Sequence, residues 1–218
     1  MNGYKDATRL ARWTKLVLAG FIVVSACAVI SDLLQLRMLI GFADGSYSSP
    51  SAIHEAAVAN DARQRVTGLC RLAAEILCGI MVLTWTYRAG ANARGLGAVG
   101  MQVSPAWAVG WYFVPVANLI KPYDAMREIW RASADPQGWW RAPAPARLGG
   151  WWFFFLVTAI LGVVAPWLAG WARDLDTLID AAGIAAIADA AGIMAALFFR
   201  RIVGQVQQMQ EARLSAQP

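Results

Sequence analysis

Histidine occurs once in the 218 residues, at His54, and cysteine only three times. A single histidine in a predicted external loop excludes bis-histidine haem ligation, an HExxH zinc site and a histidine-rich metal centre within one chain. Cys27, Cys70 and Cys78 lie inside apolar runs without CxxC or zinc-ligand spacing, and read as small buried apolar side chains. Charged residues make up 15% of the chain, where a soluble domain carries about one quarter. That scarcity excludes an ordinary soluble domain. No GxSxG or Walker sequence is present, so the common serine-hydrolase and NTPase signatures are missing. Aspartyl chemistry inside a membrane needs paired carboxylates, and only Asp189 with Glu75 or Asp32 can supply them. No enzyme activity, cofactor or metal is expected.

What is abundant is apolar surface: 58% hydrophobic residues and 11 tryptophans. The apolar residues fall in four blocks long enough to cross a bilayer, about 15–40, 66–87, 149–171 and 181–199. The expectation is an all-α integral membrane protein forming one membrane domain over 1–218. The formal charge of +5 does not point to nucleic acid, because the basic residues cluster beside the spans. Lys5, Arg9, Arg12 and Lys15 precede the first span, and Arg200 and Arg201 end the last. Arg88, Arg94, Lys121, Arg127, Arg131, Arg141 and Arg147 lie between the second and third, whereas the loop 173–180 carries three aspartates against one arginine. Such a distribution places both termini and the central loop in the cytoplasm of a bacterial inner-membrane protein. The sequence Val24-Ser25-Ala26-Cys27 resembles a lipoprotein cleavage box, but the apolar pattern continues to Ile40, so an uncleaved first span is expected.

Between the second and third spans, the run 104–121 is bracketed by Pro105 and Pro122 and broken at Pro115. About 16 residues at helical rise reach only about 24 Å against a hydrocarbon core of about 30 Å, which predicts a re-entrant segment. Pro122 suits the first turn of a helix over about 122–134. Tyr123, Met126, Ile129 and Trp130 recur on one face of it, and Asp124, Arg127, Glu128 and Arg131 on the other, as in an interfacial amphipathic helix. The pairs Trp139-Trp140 and Trp151-Trp152 flank a Pro/Ala linker and are expected at headgroup level. Gly95-Leu96-Gly97-Ala98-Val99-Gly100 is a literal GxGxxG, but a membrane helix rather than a strand precedes it, so it reads as a tight turn. A capped helix over Ser51–Asn60 is predicted in the external loop 41–65. In the last span Ala182, Ala186 and Ala190 recur at spacing four, which suits close helix packing in the bundle or a homo-oligomer contact.

The order of features from Trp85 to Trp152 resembles a bacterial family of uncharacterised membrane proteins, the domain-of-unknown-function 4328 family. The residues that carry it are Trp85, Tyr87-Arg88-Ala89, Asn92-Ala93-Arg94, Leu96-Gly97, Ser104-Pro105-Ala106-Trp107-Ala108-Val109-Gly110-Trp111, Phe113-Val114-Pro115, Asn118-Leu119, Lys121-Pro122, Met126, Glu128-Ile129-Trp130-Arg131 and Trp151-Trp152. With the flanking spans, the resemblance covers most of the chain past residue 65. It implies a multispan membrane protein and supplies no catalytic residues.

Two groups of residues are candidates for function. Arg127, Trp130, Arg131, Trp139, Trp140 and Arg147 form a Trp/Arg-rich cytoplasmic face suited to anionic membrane lipids or a partner protein. Asp32, Arg71, Glu75, Asn118 and Asp189 lie within apolar segments. Charge there costs about 2.5–3.5 kcal/mol per residue, so such groups face a partner or a water-filled cavity. This second group reads either as a structural network fixing helix register or as a binding or proton-carrying site. The leading expectation is a non-catalytic membrane module binding lipid or partner proteins. The alternative is a small oligomeric transporter or channel using the intramembrane polar residues.

Overall fold

The computed structural model describes residues 3–216, and these are helical, with no strand among them. In chain order they form α1 (Thr8–Ala43), α2 (Pro50–Gly95), α3 (Pro105–Gly110), two 3₁₀ turns (Trp111–Phe113 and Ala117–Leu119), α4 (Lys121–Ala134), α5 (Ala146–Trp171) and α6 (Leu175–Ser215). By length and composition α1, α2, α5 and α6 can each cross a membrane.

Local chemistry sets the ends. Asp6 opens α1 by accepting from the Thr8 amide (2.8 Å) and hydroxyl (2.6 Å). These bonds hold its carboxyl below the ordinary range. Ser49 accepts from the Ala52 amide at 3.2 Å and Pro50 takes the first position of α2, where its missing amide costs nothing. The helix predicted to begin at Ser51 therefore starts one residue earlier and runs unbroken for 46 residues, absorbing most of the expected external loop. Asp174 caps α6 through the Thr177 amide at 2.7 Å. At the other end α6 outruns its apolar block to Ser215, through glutamines and arginines that favour helix without favouring lipid.

The chain divides into two compact units. Unit 1 comprises Met1–Ala19, Leu77–Trp152 and Ala196–Pro218. Its core holds Trp85, Met126, Ile129, Leu148, Phe199, Ile202, Val203 and Val206, all nearly inaccessible. The Phe199 ring lies 5.6 Å from Trp85, near-perpendicular to it, and 5.1 Å from Trp151. Buried Gln210 donates to the Ala89 carbonyl and the Ser133 hydroxyl, each at 2.9 Å, tying α6 to α2 and α4. Asn92 exchanges two hydrogen bonds with the Lys5 backbone, at 3.0 and 2.9 Å. The glycine cluster makes a turn, as expected. Gly97 and Gly100 have φ of +98° and +76°. At Gly95 the backbone of Gly3 and Tyr4 comes so close that an added Cβ would stand 2.6 Å from it.

Unit 2 comprises Gly20–Ile76 and Phe153–Ala195. Apart from Leu39, its buried residues are small or polar, among them Ser25, Ala28, Ser31, Asp32, Asn60, Ala165, Ala181, Ala182, Ala186, Ala188, Asp189, Ala191 and Ala195. Thr158 of α5 donates to the Ala188 carbonyl at 3.0 Å, and Gly192 lets Phe21 and Thr158 approach, so alanine and glycine bring backbones together. Of the expected alanine stripe, Ala182 and Ala186 are buried and Ala190 is exposed. The apolar stretch of α6 is 44% buried, that of α1 28%, of α5 6%, and none of α2's is buried, which makes α6 the most enclosed of these four helices. Cys27 and Cys70 are exposed, contrary to expectation, because they sit on outward faces of α1 and α2.

Candidate functional sites

In unit 1 the segment between α2 and α5 builds a cleft of about 500 Å³. Ser104 caps α3 by accepting from the Trp107 amide at 3.2 Å, and Pro105 begins the helix. Trp107 and Trp111, four residues apart, then project together, with ring centroids 4.6 Å apart. After Pro115 the chain turns through Val116, whose φ of +65° is the only positive value at a non-glycine residue among those described. Such a conformation strains a β-branched side chain. The carbonyls freed there are met mainly by 3₁₀ bonds, with Leu119 donating to Val116 at 3.1 Å and Ile120 to Ala117 at 3.1 Å. Trp152 also donates to the Leu119 carbonyl at 3.1 Å.

From α4 the side chains of Lys121, Asp124, Arg127, Glu128 and Arg131 reach the cleft, and Trp139 and Trp140 close it. The Trp139 indole donates to the Val99 carbonyl at 2.9 Å, which fixes that wall. Buried Glu128 accepts the backbone amides of Gln102 and, at 3.1 Å, Val103. From α2, Arg94 donates to the carbonyls of Met101 (2.7 Å) and Val103 (3.0 Å). The loop 101–103 is thus gripped through both its amides and its carbonyls. Arg127 pairs with Asp124 at 2.9 Å, Lys121 lies 6.0 Å from the centre of the Trp111 ring, and the Nε of Arg131 is buried without a hydrogen-bond partner. Three cations face two carboxylates, and Glu128 is already occupied by backbone amides. An anion is the ligand such a lining favours.

The cleft takes four of the six residues expected on this face: Arg127, Arg131, Trp139 and Trp140. Trp130 is not among them. It is only 9% exposed, because it lies with Met126 and Ile129 on the apolar face of α4, which packs inside unit 1. Arg147 is also outside, bonded to Gln205 of α6. Trp151 is buried against Phe199, and Trp152 against Tyr123. Sequence reasoning missed Trp107, Trp111 and Lys121 as lining residues, although the four-residue spacing of the two tryptophans was visible.

Unit 2 holds the second group. Arg71 of α2 bonds Glu75 at 2.9 Å, four residues on, and reaches α6 at Asp189 with Nη1 to Oδ1 of 3.0 Å. Asp32 of α1 accepts from Gln64 at 3.3 Å, and Gln64 also donates to Gln35. Arg63 donates to the Ser31 hydroxyl at 3.1 Å and to Asn60. The carboxyls of Asp32 and Asp189 are within hydrogen-bonding reach of one another. Four of the five predicted intramembrane polar residues therefore meet: Asp32, Arg71, Glu75 and Asp189. Asn118 does not. It belongs to unit 1, where its backbone amide donates to the Val114 carbonyl at 2.9 Å.

Among the described residues no group of three or more His, Cys, Asp or Glu side chains is placed to hold a metal ion. No curated protein and no solved structure matches the chain. A family model described as Domain of unknown function (DUF4328) matches residues 50–208, spanning α2 to most of α6 and both groups of site residues except Asp32, and the chain belongs to that family.

Proposed function

We propose that this protein is a non-catalytic multispan module of the bacterial inner membrane that binds the headgroup of an anionic lipid in the unit 1 cleft. The observation that carries this reading is the convergence of Lys121, Arg127 and Arg131 between tryptophan rings, with the Arg131 Nε buried and unpartnered. Charge supports the orientation. Unit 1 holds fourteen of the nineteen basic residues and only five of the fourteen acidic ones, so it belongs at the cytoplasmic face, with both termini. The segment from α3 to Ile120 supports a re-entrant or interfacial placement, since Phe113, Val116 and Ile120 are left more than half exposed beside the cleft. In that placement α4 lies along the interface with its charged face toward the headgroups, and the exposed apolar residues meet acyl chains.

The test is native mass spectrometry of the full chain in nanodiscs, comparing retained phosphatidylglycerol with phosphatidylcholine. Each basic side chain near an anionic surface contributes about 1 kcal/mol. R127Q/R131Q should therefore lower phosphatidylglycerol retention roughly 30-fold, at 1.4 kcal/mol per factor of ten. R147Q should leave it unchanged, because that guanidinium is engaged with Gln205. Equal retention of the two lipids by the parent protein, or by the double variant and the parent, refutes the reading. A second reading, a small oligomeric transporter or channel, draws on the polar assembly of unit 2 and its adjoining cavity.

A further inference from the structure

We propose that Asp32 and Asp189 form a carboxyl pair that binds one exchangeable proton per chain. Asp32 is 9% and Asp189 5% exposed, and the Oδ2 atom of each is buried without a donor. Their other oxygens are taken, Asp32 Oδ1 by Gln64 and Asp189 Oδ1 by Arg71. Two buried carboxylates within reach of each other cannot both stay ionised cheaply, and a proton held between them supplies the donor that both lack.

The surrounding charges leave room for one such proton. On α2, Arg71 faces both aspartates but is shared with Glu75, and Arg63 faces Asp32 while bonded to Ser31 and Asn60. On α5 the neighbouring polar group is the Thr158 hydroxyl, which is spent on the Ala188 carbonyl. Two guanidinium groups against the three carboxylates of Asp32, Glu75 and Asp189 leave the assembly one charge negative, which a single proton neutralises.

A route for exchange adjoins the pair. A cavity of about 230 Å³ is lined by Gln35 and Arg71 together with Gly162, Pro166 and alanines of α5 and α6. Arg71 connects it directly to Asp189, and Gln35 connects it through Gln64 to Asp32. Pro166, which has no amide to give the Gly162 carbonyl four residues earlier, lines the cavity together with Gly162. The proton comes from water in the cavity and returns to it, and no other bond changes.

Infrared spectroscopy of the full chain in nanodiscs at neutral pH tests this. The expected result is one protonated-carboxyl carbonyl band, shifted on transfer to D₂O, lost in D32N and in D189N, and retained in E75Q. Removing either partner relieves the repulsion, so the remaining aspartate ionises. Absence of the band in the parent protein, its failure to shift in D₂O, its survival in both asparagine variants or its loss in E75Q overturns the proposal. Should an asparagine variant fail to assemble, the parent and E75Q spectra decide. No lipid ligand enters the measurement, so its outcome is separate from that of the headgroup cleft.

Discussion

Replacing Glu128 by glutamine should loosen the wall of the unit 1 cleft out of proportion to the change of one atom. The Glu128 carboxylate holds the amides of Gln102 and Val103, and both bonds are charge-assisted. A hydrogen bond to an ionised group contributes about 1.5–3 kcal/mol and a neutral one about 1 kcal/mol. Glutamine keeps one acceptor oxygen but turns an NH₂ group toward the other backbone amide. One bond is then lost and the second weakened, a cost of about 2–4 kcal/mol. In a chain of this length each kcal/mol lowers the thermal midpoint by about 2–4 °C, so E128Q should melt roughly 4–16 °C below the parent. The assay is thermal unfolding in detergent followed by tryptophan fluorescence, which also reports on Trp107, Trp111, Trp139 and Trp140 around the loop. Arg94 grips the same three residues through their carbonyls, so R94Q and E128Q should be non-additive in a double-mutant cycle. A midpoint for E128Q indistinguishable from the parent's, or strictly additive effects, refutes the description of a doubly held loop.

Two further outcomes follow from the ends of the helices. In G95A the new Cβ would collide with the Gly3 and Tyr4 backbone, so the Lys5–Asn92 bonds should break and protease should cut ahead of Thr8 faster than in the parent; an unchanged cleavage rate counts against that close approach. At Asp174 the Thr177 amide and hydroxyl hold the carboxyl below its ordinary value of 3.8. The cap is therefore at full strength above that value and lost as the pH falls through the lower folded one. Hydrogen exchange at the start of α6, corrected for the intrinsic pH effect, should separate D174A from the parent at neutral pH and merge the two in strong acid. Equal separation at both pH values would rule out the carboxylate as the cap.

The existence of the four long helices was legible because each contains a long apolar run, but their lengths were not. Hydropathy marks where a helix can meet lipid, whereas helix itself continues wherever alanine, arginine, glutamine and glutamate persist, as in 51–65 and 200–215. The cleft was half legible. Tryptophan and arginine were sought between the second and third apolar runs, where the cleft lies, yet a residue's type does not say which way its helix face is turned. Trp130 shares the apolar face of α4 with Met126 and Ile129, so the periodicity itself already argued for burial. Arg147 finds Gln205 far along the chain, a pairing that no local pattern announces. For the polar cluster, the cost of charge within apolar runs brought Asp32, Arg71, Glu75 and Asp189 into one group. Asn118 was included because it lies in the apolar segment broken at Pro115, whose carbonyls are largely met by short 3₁₀ turns.

If the four long apolar helices cross a bilayer, the Arg71–Asp189 contact bears on how the chain enters it during synthesis. Arg71 is made and inserted long before Asp189 leaves the ribosome, and the most apolar stretch of its helix, wholly unburied, is at ease among lipids without a protein neighbour. Asp189 rides in the most enclosed of the four long helices, and near the centre of a bilayer a lone carboxylate would cost about 2.5–3.5 kcal/mol. In such a membrane the earlier arginine would serve as a waiting counter-charge, and α6 would be accepted by the protein already there as much as by the lipid.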